Sequence, residues 1–140
     1  MKVLIDTDVI SELSRRTERI NPSVRAWFTT LSIHDAYLSA ITIEEIERGI
    51  VLIEKRDPIG SQRLRRWFQE SVLTAFDTRI IPFDVEIAIQ TAHLHLVRPR
   101  PTNDARIAAT ALVHGLTVAT HNTRDFADMN VSLIDPFDPH

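Results

Sequence analysis

The chain has 140 residues, 44% of them hydrophobic and 25% charged, with a formal net charge of −3. That length suits one domain, spanning 1–140, with a single sizeable core, and the charge gives no global electrostatic case for nucleic-acid binding. The absence of cysteine excludes disulfides and thiolate metal sites and fits a reducing cytoplasm. Met1-Lys2-Val3-Leu4-Ile5 meets Asp6 too soon for a signal peptide, and no apolar run is long enough to cross a membrane. The basic residues are skewed, with fourteen Arg against two Lys, and Arg suits bidentate contact to phosphate or carboxylate.

Val3, Leu4 and Ile5 form an unbroken apolar run, the pattern of a strand buried on both faces in a parallel sheet. The run ends in Asp6. Asp8 suits an N-cap, and Val9, Ile10 and Leu13 follow at helical spacing, so the strand feeds a helix at once. Asn21-Pro22 reads as N-cap and first residue of a second helix, whose stripe of Val24, Trp27, Phe28 and Leu31 ends near His34. A second strand is expected over Tyr37-Leu38-Ser39-Ala40-Ile41, then a helix from Thr42 to about Lys55. Asp57-Pro58 opens a longer helix with Leu64, Trp67, Phe68, Val72 and Phe76 on one face and Arg63, Arg65 and Arg66 at its start.

Arg79 to Phe83 forms a third strand, with Pro82 placing it at an edge or a strand end. Asp84 caps the next helix, which carries Ile87, Ala88, Thr91, Ala92 and His95. Arg98 to Asn103 is a loop because its prolines cannot continue a helix. Asp104 opens an Ala-rich helix that Gly115 closes. Leu116 to Thr120 is the fourth strand, and Val131 to Ile134 is the fifth, ahead of a Pro-rich tail. Alternating strands and helices predict a three-layer α/β/α fold around a parallel sheet of about five strands.

Four acidic residues fall where strands end or helices begin: Asp6, Glu45, Asp104 and Asp125. If the strand ends align, their carboxylates meet in one cleft, where they cannot all stay ionised without a counter-charge. A hard divalent cation supplies it, and carboxylate oxygens with water are what Mg²⁺ and Mn²⁺ prefer. Each residue also has a plainer role. Asp6 could serve only to help cap the first helix, Thr42 and Glu45 fit a T-x-x-E capping box, Asp104 favours a helix dipole, and Asp125 suits a surface turn.

Four segments carry a family likeness. Asp6-Thr7-Asp8-Val9-Ile10-Ser11 resembles the D-T-N-V-I-S opening of PIN-domain ribonucleases. Ser39 to Gly49 resembles their S-x-x-T-x-x-E-L-x-x-G segment, Asp104 to Ala111 their D-x-x-I-A-A-T-A helix, and Thr120 to Phe126 their T-x-N-x-x-D-F motif. The matches span nearly the whole chain in order and spacing, and its length resembles the toxins of VapBC-type toxin–antitoxin pairs. The resemblance implies a PIN-like fold and metal-dependent endonucleolytic hydrolysis of RNA phosphodiesters, with Mg²⁺ or Mn²⁺ bound by Asp6, Glu45 and Asp104. The fourth acidic position falls on Asp125 or at Asn122, and Asp125 is favoured because Asn122 carries no charge. Asp8 stands where the family commonly has Asn.

The same resemblance implies RNA as substrate, a neighbouring antitoxin as partner, a homodimer and a cytoplasmic location. Arg98, Arg100 and Arg106 are candidate RNA contacts, as are Arg63, Arg65 and Arg66, although a solvated helix face or antitoxin contacts suit the 63–66 cluster better. Thr7 and Thr120 are candidates to orient water or phosphate. Two other readings compete. The Asp6-x-Asp8 pair resembles the signature of haloacid-dehalogenase-like phosphatases, but the only lysines, Lys2 and Lys55, sit at no strand end that could balance a phosphoryl charge. A binding-only PIN-like module is the other, and the intact acidic positions weigh against it.

Overall fold

A computed structural model describes residues 1–96 and 98–139. In chain order its elements are β1 (Val3–Ile5), α1 (Thr7–Glu12), α2 (Pro22–Thr30), β2 (Ala36–Ser39), α3 (Ala40–Arg56) and α4 (Gln62–Trp67), then β3 (Ile80–Ile81), α5 (Val85–Leu94), α6 (Thr102–His114), β4 (Thr117–Ala119), α7 (Thr123–Phe126) and β5 (Leu133–Ile134). The strands form one parallel sheet in the order β3-β2-β1-β4-β5. Helices cover both faces, as the alternating pattern predicts. β3 lies at an edge, where Pro82 costs no ladder bond.

The period of two in β1 divides the core. Val3 and Ile5 join Val9, Val24, Leu38, Ile50, Phe68 and Phe76 on one side, while Leu4 joins Val118, Ile87, Ile107 and Phe126 on the other. Ala105, Ala108, Ala109 and Ala111 are wholly buried, so α6 can lie close to the sheet. Gly115 ends α6 in the left-handed region at φ 67°, a conformation that glycine adopts without a Cβ penalty.

Several boundaries differ from the sequence expectation. α2 stops at Thr30 rather than near His34. The Thr29 and Thr30 hydroxyls donate to Ala26 O and Trp27 O, and Leu31 is extended. β2 ends at Ser39, and Ala40 and Ile41 belong to α3. Ser39 is the N-cap, accepting from Ile41 N at 3.0 Å. Thr42 therefore sits inside the first turn, and the Thr42–Glu45 capping box does not form. Asp8 is not a cap either. Asp6 holds that place in α1, its Oδ1 accepting from Thr7 N at 2.8 Å. Past α4 the chain winds on through wider, π-type turns over Phe68–Thr74, with Phe68 and Val72 buried.

The topology also creates the crevice. From β1 the chain builds β2 and β3 on one side, then crosses to build β4 and β5 on the other. The strand order thus reverses between β1 and β4, and open α/β sheets place ligands beyond the carboxyl ends at such a point. Asp6 ends β1 there, its amide donating to Ala119 O at 2.9 Å.

Candidate active site

A cavity of about 280 Å³ opens at this reversal, bordered by Asp6, Asp8, Glu45, Asn103, Asp104 and Asn122, with Thr7 and Ser11 beside them. Each carboxylate arrives by a different route. Asp6 caps α1, Asp8 lies in its first turn, Glu45 projects from α3, and Asp104 from the first turn of α6.

Asp6 is 7% exposed, with Oδ1 held by Thr7 N and Oδ2 by the Thr120 hydroxyl, each at 2.8 Å. Burial, then repulsion from Asp8, pushes its carboxyl up to about 7, and Asp104 adds to the effect. The Thr120 and Thr7 hydrogen bonds oppose the rise without cancelling it. Burial also raises Asp8, against the donation of His121 N to Asp8 Oδ2 at 3.0 Å. Asp104 is raised by burial first, then by Asp125, Glu45 and Asp8. The acidic groups thus act on one another across the cleft.

Glu45 Oε1 accepts from the Thr7 hydroxyl at 2.6 Å, and that hydroxyl lies 3.2 Å from Thr42 Oγ1. Glu45 is therefore aimed at α1 and not back at its own helix start. Thr120 donates to Asp6 and accepts from Asn122 N at 3.0 Å, so both threonines orient carboxylates. Glu44 is exposed and pairs with Arg48.

Asp125 is the acidic residue that does not border the cavity. It lies in α7, facing an adjoining depression that shares Asn122 with the cleft, and its charge still reaches Asp104. Arg98 and Arg100 both grip Asp128, at 2.5 and 2.8 Å. Arg106 bonds Asn103 Oδ1 at 3.3 Å and lies over the Phe83 ring, which puts it next to a cleft residue. Arg65 clamps Glu47 and Glu54, and Arg63 donates to Ser14 O. Arg65 thereby ties α4 to α3, and Arg63 ties α4 to the turn after α1.

Two cleft residues escape the sequence reading. Asp8 looks like a cap on spacing alone, and Asn103 looks like loop. The available signal was that Asp8 and Asn103 each lie within two residues of a cleft aspartate.

The donor set fits a hard cation. Asp8 Oδ1 is buried with no hydrogen-bond partner, and Asp6 is short of counter-charge. Among the described residues no three His, Asp or Glu side chains form a ready-made cage. Mg²⁺ does not need one, since it keeps several waters and takes one or two carboxylates. A larger, mainly apolar groove of about 430 Å³ between α2 and the tail has Asp138 as its sole carboxylate and offers no comparable chemistry.

The chain is similar to known proteins over almost its full length. It is 37% identical to Toxin FitB of Neisseria gonorrhoeae, across 96% of this chain and 98% of that protein. It is 34% identical to the VapC ribonuclease Y4jK of Sinorhizobium fredii, across 98% and 99%. Among solved structures, FitAB bound to IR36 DNA superposes with a TM-score of 0.88 at 34% identity, covering 99% of this chain and 97% of that one. The FitAcB structure from Neisseria gonorrhoeae gives 0.86 at 36%, covering 96% and 98%. The PIN domain profile matches residues 3–131. With the carboxylates gathered at the sheet's reversal point, this match establishes that the chain belongs to the PIN domain family.

Proposed function

We propose that this protein is a cytoplasmic, cation-dependent endoribonuclease and the toxin of a type II toxin–antitoxin pair. In this reading Asp6, Glu45 and Asp104 hold Mg²⁺, or Mn²⁺ in its place, and Asp125 completes the acidic set from the adjoining depression. The observation that carries it is Asp6. A carboxyl held near neutrality by burial and by neighbouring carboxylates is a site waiting for positive charge. A bound cation supplies a Lewis acid for the phosphoryl oxygen and lowers the pKa of a coordinated water.

The chain's own residues do the rest. Thr120 and Thr7 fix the directions of Asp6 and Glu45, so the carboxylates do not reorganise when phosphate arrives. Asn122 and Asn103 offer amide contacts at the rim. Arg106, beside Asn103, is placed for the RNA backbone, whereas Arg98 and Arg100 must first release Asp128.

A toxin-antitoxin complex from Klebsiella pneumoniae, 26% identical with a TM-score of 0.70, supports an antitoxin partner, and Y4jK supports the ribonuclease activity by its name. A groove of about 180 Å³ leaves the cleft past Gly49, Ile50, Ile53, Leu64 and Trp67. It suits an antitoxin segment whose apolar side chains lie along it and whose Arg or Lys enters the cleft. The homodimer has support in α5, which turns Val85, Ile89 and, just past its end, Leu96 outward at 75%, 58% and 83% exposure.

The test is cleavage of labelled RNA by the purified chain. Cleavage is expected with Mg²⁺ and absent with EDTA, with Asp6→Asn, or after addition of the protein encoded next to it. Cleavage indifferent to both EDTA and Asp6→Asn would refute the reading.

A further inference from the structure

Just beyond Thr120 lies the adjoining depression, about 360 Å³, lined by His121, Asn122, Thr123, Arg124 and Asp125. His121 is held there on three sides. Its amide donates to Asp8 Oδ2 at 3.0 Å, its Nδ1 lies 3.1 Å from Asp135 Oδ2, and its ring packs on Phe137 with centroids 4.4 Å apart. Asp135 is fixed in turn, since its Oδ1 accepts from Phe137 N at 2.9 Å and its side chain is 14% exposed.

In the tautomer with its hydrogen on Nδ1, that hydrogen faces the Asp135 carboxylate and Nε2 is the acceptor. Nε2 has no hydrogen-bond partner among the described residues, and the side chain is 56% exposed. Arg124, exposed on the same depression, forms no ion pair among the described residues. An acceptor and a guanidinium on one depression are the chemical complements of two neighbouring groups on an RNA strand, the ribose 2′-hydroxyl and a phosphate. The 2′-hydroxyl is also the group that lets a protein tell RNA from DNA.

We propose that this depression is a nucleotide subsite flanking the cleft, in which His121 Nε2 accepts from a ribose 2′-hydroxyl and Arg124 contacts the adjoining phosphate. His121 thereby discriminates RNA from DNA, and Asp135 and Phe137 are positioning residues for its ring. Asp125 also lines the depression, and a cation bound by Asp104 would offset its charge. The inference rests on the ribonuclease reading above.

The test uses the full chain with Ca²⁺, a short pooled-sequence fluorescent RNA and its DNA counterpart. Binding is followed by anisotropy, and a gel checks that the probes stay intact. His121→Phe keeps the ring on Phe137 but removes Nε2. It should shrink the RNA-over-DNA preference by about three- to tenfold, the value of one hydrogen bond, while Tm and Ca²⁺ affinity stay unchanged. Asp135→Ala should do the same, and Asp135→Asn, which can still accept from Nδ1, should restore the preference. That pair decides the matter if His121→Phe does not fold. Arg124→Gln should weaken RNA and DNA alike and lower the salt slope by about one. An unchanged RNA-to-DNA ratio in the His121 and Asp135 variants, or an Arg124→Gln chain that binds both strands like wild type, overturns the assignment. If wild type neither binds nor cuts RNA, the ribonuclease reading itself has failed, which is a different result.

Discussion

Asp6→Asn separates a metal ligand from a structural cap, and its sign depends on pH. Asn keeps an oxygen for Thr7 N, and the Thr120 hydroxyl can turn to the Asp8 carboxylate 3.5 Å away. What the variant loses is the charge. Asp6 stands at about 7 in the folded chain against an ordinary 3.8. Between those values the folded state holds a proton that the unfolded chain has released. The free energy of unfolding therefore falls as pH rises through that window, and the loss is complete above about 7. The shift corresponds to at most about 4 kcal/mol at roughly 1.4 kcal/mol per unit, and relaxation around the site reduces it. Scanning calorimetry without divalent cations should show Asp6→Asn melting several degrees above wild type at about pH 8, at roughly 3 °C per kcal/mol. At about pH 4 the two should nearly coincide, since wild-type Asp6 is then protonated in the folded state. Mg²⁺ should raise the wild-type Tm at the higher pH by mass action and leave the variant unmoved. Equal Mg²⁺ responses, or a variant less stable than wild type at the higher pH, would refute the reasoning.

Glu45→Gln leaves the Ser39 cap of α3 intact and still offers an oxygen to the Thr7 hydroxyl; stability should change by less than about 1 kcal/mol in denaturant titration, while RNA cleavage falls severely. Ser39→Ala removes the actual cap and should cost about 1 kcal/mol, with the cleavage rate of the folded fraction unchanged. Expressing the chain alone should arrest growth, the neighbouring antitoxin should restore it, and Asp104→Asn should abolish arrest at equal abundance; an equally toxic Asp104→Asn would move the toxicity away from the cleft.

Local pattern alone identified β1, the Asn21–Pro22 start of α2, the Asp84 cap, the Gly115 stop and the alternation that makes the sheet parallel. These rest on chemistry that neighbours in sequence share: an unbroken apolar run, a side chain that bonds an amide two or three residues on, a glycine that tolerates positive φ. That Asp6, Glu45 and Asp104 border one cleft was also legible, because strand ends followed at once by helix starts mark the binding edge of such a sheet, whereas Asp8 was missed and Asp125 lies outside the cavity. Tertiary structure decided how the carboxylates are used. Asp6, rather than Asp8, caps α1 while staying in the cleft, since its amide makes the last ladder bond to Ala119 O, and Asp8 meets the amide of His121 from a distant strand end. Glu45 was freed from the capping box because Ser39 starts α3 earlier, and a threonine 38 positions away then claimed its carboxylate. Arg98 and Arg100 looked available until Asp128, far along the chain, was folded against them. In each case the deciding partner is remote in sequence and near in space, and periodicity carries no information about such pairs.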